Sequence, residues 1–190
     1  MKKEFWVTAA LAALALQLAV PLAMIWKSEH VIKGETVYFL SRPVDPFDAF
    51  RGRFVTLSIT DTATWTDETP EPSSALSGKK IWVRFIKDKD DMMKAVEARR
   101  TKTDAEGIWL RIPLSGHVYN GKSVNLELPF NRFYMEEKSA IEADKLLAGG
   151  RGRNHKIVTA VRVLDGEAVL TDVLVDGQPI REFVKAKRAE

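Results

Sequence analysis

Residues Pro43 to Ile59 read PVDPFDAFRGRFVTLSI, a turn-rich approach that feeds directly into a strand. The prolines at 43 and 46 push Arg42 and Asp45 toward extended or turn geometry, and Gly52 lets the backbone bend or take positive φ. After Gly52 the pattern changes to alternation. Arg53, Val55, Leu57 and Ile59 fall on one side and Phe54, Thr56, Ser58 and Thr60 on the other. A period of two with one apolar face (Val55, Leu57, Ile59) marks a half-buried strand.

Working outward, most of the chain repeats that pattern. Val31 to Arg42 is expected to be a first strand, with Val37 and Phe39 facing one way and Tyr38 and Leu40 the other, set off by a turn at Lys33-Gly34-Glu35. Asp67 to Lys80, with Pro70, Pro72 and Gly78, reads as a surface loop. Lys80 to Lys87 alternates Ile81, Val83 and Phe85 against Trp82, Arg84 and Ile86. Asp88 to Gly107 fits neither period well, and its turn-like ends favour a strand. Ile108, Leu110, Ile112 and Leu114 keep strict alternation, and Asn120-Gly121 marks a hairpin returning through Val124 to Leu128.

Glu136 to Ala148 is the helical stretch of this part. Its acidic start suits a helix N-terminus, Ala140, Ile141, Ala143 and Leu147 make the apolar face, and Gly149-Gly150 ends it. Three closing strands are expected at His155 to Leu164, Ala168 to Val175 and Ile180 to Val184, joined by Asp165-Gly166 and Asp176-Gly177 turns. The expected fold is an N-terminal transmembrane helix followed by a mainly-β antiparallel domain, a small barrel or sandwich, with one short helix.

The transmembrane expectation rests on Phe5 to Trp26, an apolar run broken by Thr8, Gln17 and Pro21. At about 1.5 Å per residue it reaches roughly 33 Å, enough for a hydrocarbon core of about 30 Å. Lys2 and Lys3 precede it, which favours an N-terminus in the cytoplasm and the bulk of the chain outside. A cleaved export signal has a similar layout, but this run exceeds a typical signal core, and Trp6 and Trp26 bracket it as interfacial aromatics do. The division is therefore residues 1–27 as a single-pass signal-anchor with a short cytoplasmic N-terminus, and residues 28–190 as an extracytoplasmic β-rich domain. In a two-membrane envelope that places the anchor in the inner membrane and the domain in the periplasm.

Composition narrows the function classes. The 190 residues suit one membrane segment plus one domain. Twenty-nine basic residues interspersed with 26 acidic ones leave a net charge of +3, which is no footprint for nucleic acid. The absence of cysteine removes disulfides and thiolate chemistry. No cofactor and no metal site is implied.

The segment G-R-F-V-T-L-S-I at Gly52 to Ile59 resembles the Gly-Asp-Tyr-x-x-Leu-x-Tyr signature of the GDYXXLXY family of bacterial membrane-anchored proteins. Gly52, Phe54 and Leu57 carry the likeness, with Asp45, Pro46 and Arg51 in the approach. Asn131-Arg132-Phe133-Tyr134, with Glu137 and Glu142, resembles the family's second characteristic segment. Arg53 stands where the signature has its carboxylate and Ile59 where it has its last aromatic, so roles that need those groups do not carry over. The resemblance implies a membrane-tethered domain that partners a polytopic membrane protein.

Chemistry-bearing residues are sparse. His30, His117 and His155 have no carboxylate or histidine at metal-ligand spacing, and no G-x-S-x-G surrounds a serine; Ser28, just after the anchor, lacks a surrounding motif and an obvious basic partner. Arg132, Tyr134, Glu137 and Glu142 form a candidate polar cluster able to bind a polar ligand or activate water, against the plainer reading of carboxylates favouring a helix N-terminus. Arg51 and Arg53 suit an anionic partner or a solvated strand edge. The basic loop from Gly149 to Lys156 reads as solvated, and Trp82 and Trp109 read as core rather than as an oligosaccharide platform. The leading expectation is a non-enzymatic interaction module. Its rival is an envelope hydrolase or ligand-binding protein built on Glu137 and Glu142 with Asp45 or Asp48.

Overall fold

The computed structural model describes residues 2–43, 54–67, 78–114, 118–119, 122–147 and 155–189. The chain opens with helix α1, Lys2–Ile32, then runs through β1 (Glu35–Pro43), β2 (Phe54–Ser58), β3 (Thr60–Trp65), β4 (Lys80–Lys87), β5 (Met93–Arg99) and β6 (Ile108–Pro113). There follow β7 (Val118–Tyr119), β8 (Ser123–Glu127), β9 (Arg132–Tyr134), helix α2 (Glu137–Leu147), β10 (Ile157–Leu164), β11 (Glu167–Val175), β12 (Gln178–Pro179) and helix α3 (Ile180–Ala189). The strands form two sheets, ordered β12-β11-β10-β1-β2-β9 and β6-β4-β5-β3-β8-β7. The expected mainly-β domain behind an apolar helix is what the chain forms.

β2 and β3 are consecutive but belong to different sheets, and Ile59 is the residue between them. Val55 and Leu57 enter one core and Ile59 the other. The strand read from the sequence is thus the link that ties the sheets together.

The inner face of the first sheet is buried along its whole length. Cross-strand pairs Val37↔Val161, Phe39↔Thr159 and Ser41↔Ile157 carry that face over β1 and β10. At one end Val37, Phe39, Val161 and Val163 pack against the second sheet, with Phe39 meeting Phe85 edge-on at 5.3 Å. At the other, Ile157, Val173 and Val175 pack with α2 and α3. A bulge makes this possible. Ala160 pairs with Asp172 but Val161 pairs with Leu170, so Thr171 is an extra residue that resets the phase of β11. Val173, Val175 and Leu170 then all face inward, and Leu170 touches both cores.

At the seam between the cores sits a buried polar pair. Thr159 Oγ1 donates to Ser41 Oγ at 2.9 Å, and Ser41 Oγ donates to the Ile157 carbonyl at 3.3 Å. Burial without partners would cost each hydroxyl dearly, so the two satisfy one another.

Several expectations are corrected. Val31 and Ile32 belong to α1 rather than to the first strand, because extending the helix buries Val31 against the domain. Ile180 to Val184 is helix, not strand: Ile180, Phe183 and Val184 lie at i, i+3 and i+4 and are all buried, while Arg181, Glu182 and Lys185 stay exposed. Among the described residues the domain therefore has two short helices, and they pack on each other. Ile141, expected on the apolar face of α2, is 44% exposed; Ala140, Ala143 and Leu147 are the buried positions. The sheets are not wholly antiparallel, since β3 and β5 pair in parallel at Thr64↔Glu97 and Trp65↔Ala98. The ambiguous stretch does contain a strand, β5, and its weak alternation has a cause: Val96 is an extra residue opposite the Arg84–Phe85 step. Most of the expected loop from Asp67 to Lys80, and the Asn120-Gly121 turn, lie outside the described residues.

The Ser41–Thr159 pair yields an energetic expectation. Ser41→Ala alone strands the Thr159 hydroxyl and costs about 1–3 kcal/mol, Thr159→Val costs less because Ser41 keeps the Ile157 carbonyl, and the double variant costs clearly less than the sum. Chemical denaturation of the four species measures this, and additive costs would refute it.

Candidate functional site

Three places concentrate exposed or charged chemistry: the junction of α1 with the domain, the outer face of β2 and β9, and a cleft between the sheets.

At the junction α1 is seated on the β10–β11 hairpin. Lys27 Nζ meets Glu167 Oε1 at 2.9 Å, and this hydrogen bond holds the Glu167 carboxyl below its usual range. His30 Nε2 lies 3.9 Å from Asp165 Oδ2, and its ring stacks on Trp26. Arg162 Nη1 donates to the Gly34 carbonyl at 2.9 Å. Gly34 passes so close to β10 that a Cβ there would stand 2.0 Å from the Val163 carbonyl oxygen. Beyond this seat α1 leaves the domain, and its apolar window is wholly unburied, with Trp6 and Trp26 each at least 70% exposed. It is apolar and long enough to cross a bilayer.

On β2 and β9, Phe54 stands opposite Tyr134 and Thr56 opposite Arg132. The Arg132 guanidinium lies over the Phe54 ring at 5.3 Å, and the Phe54 and Tyr134 rings are 5.7 Å apart. Alternation turns Phe133 and Val55 inward under α2, so Arg132 and Tyr134 occupy the opposite face from that helix. The candidate polar cluster is accordingly divided. Glu142 pairs with Arg188 of α3, which also donates to Ser139 Oγ at 3.3 Å, and Glu137 is exposed at the start of α2. Leu57 is core. Asp45, Asp48, Pro46, Arg51, Gly52, Arg53 and His117 lie outside the described residues.

The structure also makes a pair that spacing did not reveal. His155 Nδ1 and Asp176 Oδ2 are 2.6 Å apart, with the His155 ring edge-on to Phe183. His155 and the Lys156 backbone hold the Asp176 carboxyl below its ordinary value. Twenty-one residues separate the two in sequence, so only the β10–β11 hairpin register reports their meeting. Trp109 is core as expected and donates Nε1 to the Ala105 carbonyl at 3.0 Å, while Trp82 is half-buried and covers Gly166.

The cleft, of about 270 Å³, opens where β1 ends, β2 passes into β3 and the β4–β5 turn stands opposite. Phe39, Ile59 and Met93 line its apolar side, and Arg42, Lys156, Lys94, Asp61, Asp88 and Asp90 its polar side. Much of that charge is internally matched. Asp61 accepts from the Thr62 and Ala95 amides at 2.8 and 2.7 Å. Asp88 accepts from the Asp90 and Met92 amides and meets Lys94 at 3.4 Å. A larger, more open hollow of about 590 Å³ runs past Glu35, Arg84, Lys87 and Glu106, but there Arg84 is taken by Glu97 and the Glu106 carbonyl, and Lys87 faces Glu35 and Asp91. Among the described residues no group of three or more His, Asp or Glu is arranged to hold a metal.

Two expectations follow from this geometry. Gly34→Ala forces β10 away from the junction and lowers stability by about 1–3 kcal/mol, read as a drop in thermal midpoint; an unchanged midpoint would show that the seat is loose. The Asp88 carboxyl lies below its usual range, chiefly through the Met92 amide; burial opposes this as the next largest effect, and the Asp90 amide and Lys94 tip the balance downward. A depressed folded value contributes above the unfolded pKa and is lost as pH falls through the folded one. The Met92 amide resonance therefore holds steady from neutral pH to about 5 and moves only below about 4; movement near neutrality would contradict the assignment.

The family described as GDYXXLXY protein matches residues 17–173, from within α1 to Val173 of β11. No curated protein and no solved structure matches the chain. The match takes in β2, with Phe54 and Leu57, and β9, with Arg132 and Tyr134, and it covers far more than half of the 190 residues. The chain belongs to the GDYXXLXY protein family.

Proposed function

We propose that this protein is a membrane-anchored extracytoplasmic interaction module, an accessory subunit of a polytopic protein of the bacterial inner membrane. The observation that carries the reading is α1: a helix apolar on every side, unburied over its apolar window, yet seated firmly on the domain by its last turns. Exposed apolar surface on that scale needs a cover, and a helix without a polar face matches lipid better than a single protein groove. Lys2 and Lys3 before the span favour a cytoplasmic N-terminus.

A tight seat suits an accessory subunit. The domain then stands at a set height and rotation over the bilayer, where it can present one face to the extracytoplasmic loops of a neighbour. The Phe54, Tyr134 and Arg132 group is the face we assign to that contact: aromatic and arginine side chains are those that dominate interfaces, and Tyr134 is 62% exposed. The hydrolase alternative loses support because Glu142 is engaged by Arg188 and lies on the other side of the sheet from Arg132.

The cysteine-free sequence makes topology directly measurable. Lys102→Cys should label with an impermeant maleimide in intact spheroplasts and Lys2→Cys only after lysis, with the protein resisting carbonate extraction. The reverse pattern, or release by carbonate, would sink the anchor assignment. Purification in mild detergent should bring down a multi-span protein at near-equal ratio, and Phe54→Ala combined with Tyr134→Ala should weaken that complex tenfold or more, on the order of 1.4 kcal/mol. Elution of a folded protein alone would remove the subunit reading.

A further inference from the structure

The cleft between the sheets gathers charges that the described residues do not pair. β1 and β10 pair in register up to Ser41↔Ile157, and the residues just beyond that last pair, Arg42 and Lys156, both line the cleft. Two cations at one opening repel. Among the described residues neither cation has an ion-pair partner, although carboxylates line the same cleft. Asp61 is occupied by two amides and Asp88 by two amides and Lys94. Asp90, on the β4–β5 turn, carries a carboxylate with no cation within ion-pair distance among the described residues.

The cleft thus presents two cations from the first sheet, an unmatched carboxylate from the second, and an apolar wall of Phe39, Ile59 and Met93. The opposite charges share one opening without meeting. A dianion such as phosphate would gain from Arg42 and Lys156 but face three carboxylates, and a simple cation would face three basic side chains. A group carrying one charge of each sign satisfies both lips. The volume, about 270 Å³, lies just under the roughly 300–1,000 Å³ of drug-sized sites, so the occupant is small.

We propose that this cleft binds a small zwitterion with an apolar body, of the class of the apolar α-amino acids. Its carboxylate sits between Arg42 and Lys156, where the guanidinium fork suits two oxygens. Its ammonium faces Asp90 and its side chain lies on Phe39, Ile59 and Met93. The cleft belongs to the β-domain and owes nothing to α1, so this binding goes beyond the anchoring role and stands or falls separately from it.

The test is calorimetric titration of the full-length protein in detergent with L-phenylalanine, its methyl ester and its N-acetyl form, each followed also by amide chemical shifts. The free amino acid should saturate with Kd on the order of 0.1–1 mM, and each blocked form should bind at least fivefold more weakly. Arg42→Ala should reduce affinity tenfold or more without lowering the thermal midpoint, because it also relieves the repulsion with Lys156; Asp90→Asn should reduce it while Arg132→Ala leaves it unchanged. No saturation up to about 10 mM, equal binding of the blocked forms, or indifference to Arg42→Ala in a protein with an undiminished midpoint would each overturn the proposal.

Discussion

Everything in this domain hangs on one sheet face that must be covered twice. The inward residues of β1 and β10 form a single apolar stripe, too long for the second sheet to cover alone. One half is therefore buried by the second sheet and the other by α2 and α3. Removing apolar surface from water at about 25 cal/mol per Å² is what makes leaving either half bare untenable. The Thr171 bulge and the Ile59 crossing are the two local adjustments that let one strand system serve both partners.

The same requirement explains where polar groups are tolerated. The seam between the cores is where Ser41 and Thr159 sit, satisfying each other rather than water. Charge is matched on the outer faces, as where Arg84 and Arg99 flank Glu97. Burial works to raise the Glu97 carboxyl, yet the hydrogen bonds from Arg84 and Thr66 and the nearby charges outweigh it. Arg42, Lys156 and Asp90, which have no ion-pair partner among the described residues, differ in that all three face one shared opening. Local conflicts that packing does not require are where function is expected to reside.

The helix junction joins the proposed membrane side of the protein to this framework. Lys27, His30 and Gly34 all meet the β10–β11 hairpin, whose strands carry the central stripe, and Val31 is buried between them. The opposite end of β10 is preceded by Lys156 and lies beside His155 and Asp176. One strand thus runs from the seat of α1 to the edge of the cleft.

Much of this was legible in the residues alone, for a physical reason. Strict alternation in Val55-Leu57-Ile59, Ile81-Val83-Phe85 and Ile108-Leu110-Ile112 is a local consequence of half-burial, so it announces strands and their buried faces, and an uninterrupted apolar run announces a helix suited to lipid. What only the tertiary structure decided is non-local. Bulges at Val96 and Thr171 shift phase according to the partner strand, and the closing Ile180-Phe183-Val184 helix is too short for its period to override a strand-like reading, though its i, i+3, i+4 spacing was the available signal. The candidate cluster at Arg132 to Glu142 divided because alternation in β9 places neighbours in sequence on opposite faces of a sheet. Arg42 and Lys156, 114 positions apart, line one cleft because antiparallel register brings the ends of β1 and β10 together, a relation that no local pattern encodes.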